Sequence, residues 1–167
     1  MGVRMSDTTH SKDTTTMKAK LPQDYTHTDD LSWQPFPEAF SEGGITWKLL
    51  NVSPEIGGWT AMFDCPTGSS FARHIHMGPG EYFLMSGVME VQGGEHDGGV
   101  TAIAPAYGYE PCNARHDRTY FVEGGRFYMT FLGPLQFIQD DGTPIAVISW
   151  EQAQGLWAAQ NGQTIPN

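Results

Sequence analysis

The chain of 167 residues has few basic side chains: 9 Lys and Arg residues stand against 19 Asp and Glu residues. The formal net charge is therefore -10 at pH 7. A protein that binds nucleic acid needs a basic surface that neutralises the phosphates. This charge balance disfavours a nucleic-acid partner and is consistent with solubility.

Cysteine and long apolar runs are also scarce. The two cysteines, Cys65 and Cys112, form neither a C-x-x-C pair nor a disulfide framework, so we expect both to be reduced and packed. No apolar run approaches the roughly 18 residues that cross a bilayer, and the N-terminus has no apolar signal core. These absences predict a soluble, cytoplasmic protein without a membrane segment.

Glycine and proline are abundant instead, with 20 and 11 residues, and they separate short runs rich in Val, Phe, Tyr and Thr. This punctuation leaves little room for long helices. From residue 45 to residue 148, alternation of polar and apolar residues predicts about ten short strands. We expect an all-β domain, either a closed barrel or a double-sheet jelly roll.

The N-terminal part of the chain differs from this pattern. Residues 1–20 are polar and rich in Thr, which predicts a disordered tail, and residues 21–167 are predicted to form a single domain. Residues 33–40 are aromatic and contain two prolines. We expect that segment to pack across the outside of a sheet.

One helix is predicted near the C-terminus. Ser149 and Gln152 have the spacing of a capping box, in which each residue satisfies a backbone N–H of the first helical turn. The helix is expected to run from about Trp150 to Gln160. It should bury Leu156 or Trp157 on the barrel or on a partner subunit.

The stretch that carries candidate chemistry is His74-Ile75-His76. In a β-strand, residues i and i+2 point to the same face, so two imidazoles at this spacing can bind one metal ion. Two surface histidines on an edge strand would give the same pattern. The pair alone leaves both alternatives open.

The residues around this pair resemble the first signature of the cupin superfamily. In that signature a glycine precedes His-x-His, and a glutamate and a turn glycine follow; here these residues are Gly68, Glu81 and Gly87. The resemblance implies a small cupin-type barrel, a jelly roll, with a divalent metal bound inside it.

A second cupin signature is partly present downstream, where Gly99, Pro105 and Gly108 precede His116. Residues 109–115 separate Gly108 from His116, a loop longer than the cupin pattern allows. His116 is nevertheless the best third ligand, because no other histidine is well placed. His96 lies in a polar turn and is expected to be exposed.

Glu81 also departs from the cupin pattern. The glutamate that ligates the metal in cupins lies one residue further from the turn glycine than Glu81 does from Gly87, and the equivalent position here is Gly80. Because side chains alternate along a strand, Glu81 should face away from the metal and Tyr82 should face the interior. We expect three histidine ligands and no carboxylate.

Longer strings narrow the resemblance to the acetylacetone dioxygenase family. They are PFPEAF (residues 35–40), GGITW (43–47), HIH with GPGEYFL (74–84) and FYMTFLGPL (127–135), and the similarity extends over about residues 35–158. It implies a non-haem Fe(II) ion held by His74, His76 and His116. It also implies an enzyme that uses O2 to cleave a β-diketone such as acetylacetone into a carboxylic acid and an α-oxo aldehyde or ketone. A homo-oligomer, a dimer or a tetramer, is expected.

The same resemblance implies roles for further residues, each with a structural alternative. Glu110 is a candidate acceptor for an N–H of the third histidine, or an exposed loop acid. Tyr82 resembles a catalytic pocket tyrosine that hydrogen-bonds a bound oxygen, although a core tyrosine would give the same pattern. Apolar walls of a substrate pocket are implied for Phe71, Phe127 and Phe131, which by alternation alone belong to the barrel core.

One mismatch concerns Gln92, which occupies a predicted strand position where a member of this family carries an arginine. If that arginine attracts or orients an anionic substrate, Gln92 changes substrate preference.

Two alternatives to diketone cleavage remain. One is a metal-binding cupin sensor module, and the other is a cupin dioxygenase or isomerase with a different small-molecule substrate.

Overall fold

The structure is a computed structural model that describes residues 25–163. The predicted tail, residues 1–20, lies outside the described residues, as do both ends of the predicted domain. Within residues 25–163, no helix is both long enough and apolar enough to span a membrane.

The described chain contains short strands throughout and one α-helix at its end. The strands are β1 Gln34–Pro35, β2 Ser41–Glu42, β3 Thr46–Ser53, β4 Gly58–Cys65, β5 Ser70–Phe71, β6 His74–His76, β7 Gly80–Val91, β8 Val100–Ile103, β9 Ala106–Glu110, β10 Arg115–His116, β11 Thr119–Phe131, β12 Leu135–Ile138 and β13 Pro144–Ile148. The helix α1 is Trp150–Gln160, and two 3-10 turns are Thr28–Asp30 and Glu95–Asp97.

The strands form two antiparallel sheets. The larger sheet has the order β1-β3-β4-β11-β5-β2, and β7 pairs with β11, β8 and β9. The smaller sheet has the order β10-β6-β12-β13. Side chains from both sheets, such as Phe63 and Phe137, belong to one buried apolar core. The predicted all-β fold with one short C-terminal helix is confirmed.

The N-terminal aromatic segment only partly follows the expectation that it packs outside the sheet. Trp33 does lie outside, with Lys48 Nζ 4.5 Å and the Arg126 guanidinium carbon 5.0 Å from its ring centroid. Phe36 instead enters the core, where it is 4% exposed and meets Phe63 edge-on at 5.5 Å. The expectation was wrong for Phe36 because the interior is built from aromatic rings that offer edge-to-face partners.

The C-terminal helix agrees with the sequence prediction. The Ser149 hydroxyl accepts the N–H of Glu151 at 3.2 Å, and the Gln152 side chain accepts the N–H of Ser149 at 3.1 Å. Trp157 is buried and meets Trp47 of β3 edge-on at 5.6 Å. The capping box therefore starts the helix, and one aromatic side chain docks it on the larger sheet.

The two cysteines have different environments, and both are free. Cys65 is buried at the end of β4, as expected. Cys112 is exposed, so the expectation that it is packed was wrong. It lies in the connection from β9 to β10, where its thiol donates to the carbonyl of Met77 at 3.1 Å. Cys112 is exposed because it lies in a surface turn, where a free thiol is tolerated.

Replacing the cap residue should weaken the docked helix. We expect Ser149→Ala to lower the free energy of unfolding by about 1 kcal/mol, because an N–H of the first turn loses its acceptor. Urea denaturation followed by tryptophan fluorescence measures the change. Ser149→Asp is the matched control, since aspartate also caps helices; equal stability of the two variants would contradict this account.

Candidate metal centre

Three histidines meet inside the molecule. His74 and His76 point to the same face of β6, and His116 on β10 is directly opposite His74 in the antiparallel register. The ring centroids are 5.2 Å apart for His74 and His76, and 5.0 Å apart for each pair that includes His116. One ligand nitrogen from each ring lies within 4.8 Å of the other two. This near-equilateral arrangement can hold one metal ion.

The ring of His74 is oriented by the backbone. Its Nδ1 lies 2.7 Å from the carbonyl oxygen of Ala72, so Nδ1–H donates and the lone pair of Nε2 is left for a metal. Burial, together with the neighbouring His116, lowers the pKa of His74 to about 4. The imidazole is therefore neutral at pH 7, which is the form that binds metals.

His76 is the buried imidazole without a protein partner. Among the described residues, its ring nitrogens make no hydrogen bond, although the residue is 3% exposed. Burial lowers its pKa first, and the nearby His74 and His116 lower it further. A ring nitrogen of His76 is therefore available to bind a metal ion through its lone pair.

His116 has a partner for each ring nitrogen. Its Nε2 lies 2.9 Å from Oε2 of Glu110, and its Nδ1 lies 3.3 Å from the hydroxyl oxygen of Thr119. The Glu110 side chain is 15% exposed, so it faces the interior more than solvent. A metal bound to His116 would replace one of these two bonds. Thr119 was not predicted, although it follows His116 by three residues.

The register of β7 matches the expected orientation of Glu81. Gly80 and Tyr82 are buried, whereas Glu81 is exposed and accepts a hydrogen bond from the Tyr107 hydroxyl at 3.0 Å. A Cβ on Gly80 would lie 3.7 Å from Nδ1 of His76 and 2.6 Å from Cε of Met129. The terminal methyl of Met129 therefore fills the space next to the histidines where the cupin pattern would place a carboxylate.

Tyr82 lies against a glycine on the neighbouring strand. It pairs with Gly108 of β9, and a Cβ on Gly108 would lie 2.1 Å from Cζ of its ring. Only glycine leaves room for the ring at this position. Burial, and secondarily the charge of Glu110, raises the pKa of the Tyr82 hydroxyl, which therefore stays protonated.

The histidines open onto an apolar cavity of about 50 Å³, enough for one small molecule. Its lining residues are Phe36, Phe63, Phe71, His74, His76, Tyr82, Met89, Val91, Glu110, His116, Thr119, Phe127, Met129, Phe131, Leu135 and Phe137. All eight residues of the sequence-predicted site belong to this lining. The other eight lining residues were not predicted, and two of them, Phe36 and Phe137, come from segments distant in sequence from the histidines.

Gln92 lies outside this cavity lining. It follows the last residue of β7, is exposed, and has a φ of 54°. Its side-chain amide donates to the carbonyl of Arg115. Its predicted strand position was thus wrong by one residue, since the chain turns at Gly93 and Gly94.

His27 and His96 are exposed and remote from the cluster, as expected for His96.

The donor set fits a divalent transition metal. The cluster consists of three buried imidazoles, and burial keeps His74 and His76 neutral. Imidazole nitrogen suits iron, zinc, copper and nickel, whereas Mg²⁺ and Ca²⁺ prefer oxygen ligands. The three histidines can therefore hold a metal ion in the interior of the protein.

Comparisons with known proteins agree with this fold and site. A family model described as the ChrR Cupin-like domain matches residues 22–136. The acetylacetone-cleaving enzyme of Acinetobacter johnsonii is 57% identical over 146 residues, which are 87% of this chain and 95% of that protein. The cupin resemblance is thus confirmed.

Two solved structures are similar over most of the chain. The acetylacetone dioxygenase of Acinetobacter johnsonii is 56% identical with a TM-score of 0.80, covering 89% of this chain and 99% of that one. A protein of Methylibium petroleiphilum PM1 that was assigned as an acetylacetone dioxygenase is 63% identical, also with a TM-score of 0.80. The similarity covers 86% of this chain and 99% of that chain.

The buried histidines should make the metal-free protein sensitive to acid. The pKa of His74 is lowered from 6.5 to about 4, so its contribution to stability is complete above pH 6.5 and is lost as the pH falls toward 4. Over this range the unfolded state takes up protons that the folded state excludes. We expect the free energy of unfolding to fall by about 1.4 kcal/mol per pH unit for each such histidine.

Urea denaturation of chelator-treated protein over this pH range measures the effect. His96→Gln is the control, because His96 is exposed and its removal should leave the slope unchanged. His74→Gln should reduce the slope. A stability that does not change between pH 6.5 and pH 4 would contradict the burial of neutral imidazoles.

Proposed function

Because the chain belongs to the cupin family of the acetylacetone-cleaving enzyme, we propose that it is a dioxygenase that cleaves β-diketones such as acetylacetone with O2. The reaction breaks one carbon-carbon bond and gives a carboxylic acid and an α-oxo aldehyde or ketone. The single observation that carries this proposal is the cluster of three buried histidines at the wall of an apolar cavity.

The proposed metal is Fe(II), with His74, His76 and His116 as its protein ligands. Neutral imidazoles suit divalent iron and do not cancel its positive charge. When bound, the iron supplies the charge that stabilises a diketone enolate and the redox chemistry that O2 requires.

Glu110 is the proposed proton acceptor for the substrate. A β-diketone is acidic for a carbon acid, and binding as the enolate requires a base that takes its proton. Among the described residues, Glu110 is the one carboxylate that lines the cavity. Its contact with His116 at 2.9 Å keeps it at the wall where the ligands meet. The same contact orients the imidazole of His116.

Tyr82 and three phenylalanines are proposed to bind and orient the substrate. The Tyr82 hydroxyl stays protonated and makes no hydrogen bond among the described residues, so it can donate to a substrate oxygen. Phe71, Phe127 and Phe131 would contact the alkyl groups and exclude water. The ring centroids of Phe127 and Phe71 are 6.1 Å apart and their planes are nearly perpendicular, which supports a rigid apolar wall.

The charges around the cavity favour neutral diketones over β-keto acids. Among the described residues, no Lys or Arg lines the cavity. A substrate carboxylate would therefore meet Glu110 without a compensating side-chain cation. This supports a preference for uncharged substrates of small volume.

A homo-oligomer, a dimer or a tetramer, is part of the proposal. On the outer face of the larger sheet, Phe83 stacks on Tyr128 with centroids 6.3 Å apart, and Tyr107 is the cross-strand neighbour of Phe83. All three rings are exposed. An exposed apolar face of this kind supports self-association.

The two free thiols support a cytoplasmic location.

Oxygen uptake tests the activity. Protein loaded with Fe(II) should consume one O2 per acetylacetone, with matching formation of the acid product. Acetoacetate should react more slowly, because its carboxylate faces Glu110. Protein loaded with Zn(II) should consume none, since zinc has no redox chemistry. Absence of uptake with every β-dicarbonyl in iron-loaded protein would favour the sensor or isomerase alternatives.

Two glutamates provide a matched pair of variants for the role of Glu110. Glu110→Gln keeps a hydrogen-bond acceptor for His116 but removes the base, so we expect kcat/KM to fall by about 10²-fold or more. Glu81→Gln changes an exposed carboxylate on the opposite face of β7 and should leave kcat/KM nearly unchanged. Similar values for both variants would exclude Glu110 as the proton acceptor.

A further inference from the structure

The connection between β9 and β10 forms a closed turn at the metal site. It consists of residues 111–114, and the N–H of Ala114 donates to the carbonyl of Pro111 at 3.0 Å. These residues belong to the segment that makes the spacing before His116 longer than the usual cupin spacing. The extra length therefore forms an ordered element, and its contacts show what it can do.

The turn forms hydrogen bonds with both polar groups of the His76 main chain, its N–H and its carbonyl. The N–H of Asn113 donates to the carbonyl of His76 at 2.7 Å, and the N–H of His76 donates to the carbonyl of Ala114 at 2.9 Å. The thiol of Cys112 adds a bond to the carbonyl of Met77 at 3.1 Å. These bonds extend the pairing of β10 with β6 beyond its two regular pairs, up to the second histidine.

The same turn carries the other groups of the site at its two ends. Glu110 immediately precedes it, and His116 follows it after Arg115. The turn is thus hydrogen-bonded to the backbone of His76. Through the covalent chain it also connects to Glu110 on one side and to His116 on the other. Small movements of the turn would change the distances among these side chains together.

The conformation of Asn113 makes this geometry possible. Its φ is 67°, in the left-handed region that glycine and asparagine adopt readily and β-branched residues avoid. Its side chain is exposed, so its identity matters for the backbone rather than for packing. With another backbone conformation, the N–H of Asn113 and the carbonyl of Ala114 could not both face His76.

We propose that the turn of residues 111–114 is a positioning element that holds His76 and His116 at metal-binding distance, and that the left-handed conformation of Asn113 sets it. Asn113 is a positioning residue, because it acts through the main chain of His76. The inference rests on the proposed metal ligands, but it does not depend on which substrate the protein cleaves.

Three variants of the full chain test the proposal. Asn113→Val places a β-branched residue in the left-handed region, whereas Asn113→Gly removes the same side chain and keeps that conformation accessible. Asn51→Val is the matched control, since it makes the same substitution on β3, at a residue whose φ is not positive. Each protein is loaded with Co(II), and its release to excess chelator is followed by the visible absorption of the bound ion.

Asn113→Val should release Co(II) about tenfold faster than the parent protein, because the strained turn breaks its hydrogen bonds to His76 more often. The absorption bands of the Co(II) bound to this variant should also shift, since the distances between the histidine ligands change. Asn113→Gly and Asn51→Val should stay within about threefold of the parent rate, less than half of that free-energy effect. The thermal midpoint of each metal-free variant, measured in parallel, separates altered metal binding from general loss of stability.

The proposal is overturned if Asn113→Val releases Co(II) at the parent rate, or if Asn51→Val or Asn113→Gly releases it as fast as Asn113→Val. It is also overturned if the faster release merely tracks the loss of metal-free stability, without a spectral shift. Failure of diketone cleavage in the parent protein would reject the proposed function and leave these release rates unaffected.

Discussion

The antiparallel pairing of β10 with β6 is the constraint on which the rest of the site depends. Only Arg115 with Ile75 and His116 with His74 form regular pairs, yet this register makes the third histidine the direct neighbour of the first. A shift by one residue would turn His116 to the opposite face of the sheet. Two residue pairs thus determine whether the three histidines can bind one metal ion together.

Local rules predicted the features that depend on neighbouring residues. The alternation of β7 gave the outward direction of Glu81 and the inward direction of Tyr82, and the Ser149 and Gln152 pair gave the start of the helix. Features that depend on tertiary contacts were not predictable. Phe36 enters the core because of rings from distant strands, and the bond between His116 and Thr119 needs the curvature of the chain around β10.

The cavity and the hydrophobic core are one continuous space, which explains why several residues had two plausible roles in the sequence. Phe127 stacks on Phe63 with centroids 5.0 Å apart, and both rings line the cavity. Packing that stabilises the fold therefore also keeps water from the histidines. The same burial disfavours the charged form of the imidazoles and lowers the pKa values of His74 and His76.

Trp47 joins the two ends of the described chain. Phe36 meets its ring at 5.7 Å and Trp157 at 5.6 Å, and the side chains of Gln34 and Asn161, 127 positions apart in sequence, are hydrogen-bonded at 3.0 Å. Contacts between such distant residues form only after long loops have closed, which slows folding. Both ends of the described chain therefore cover the same tryptophan, and loss of either contact would expose part of its ring.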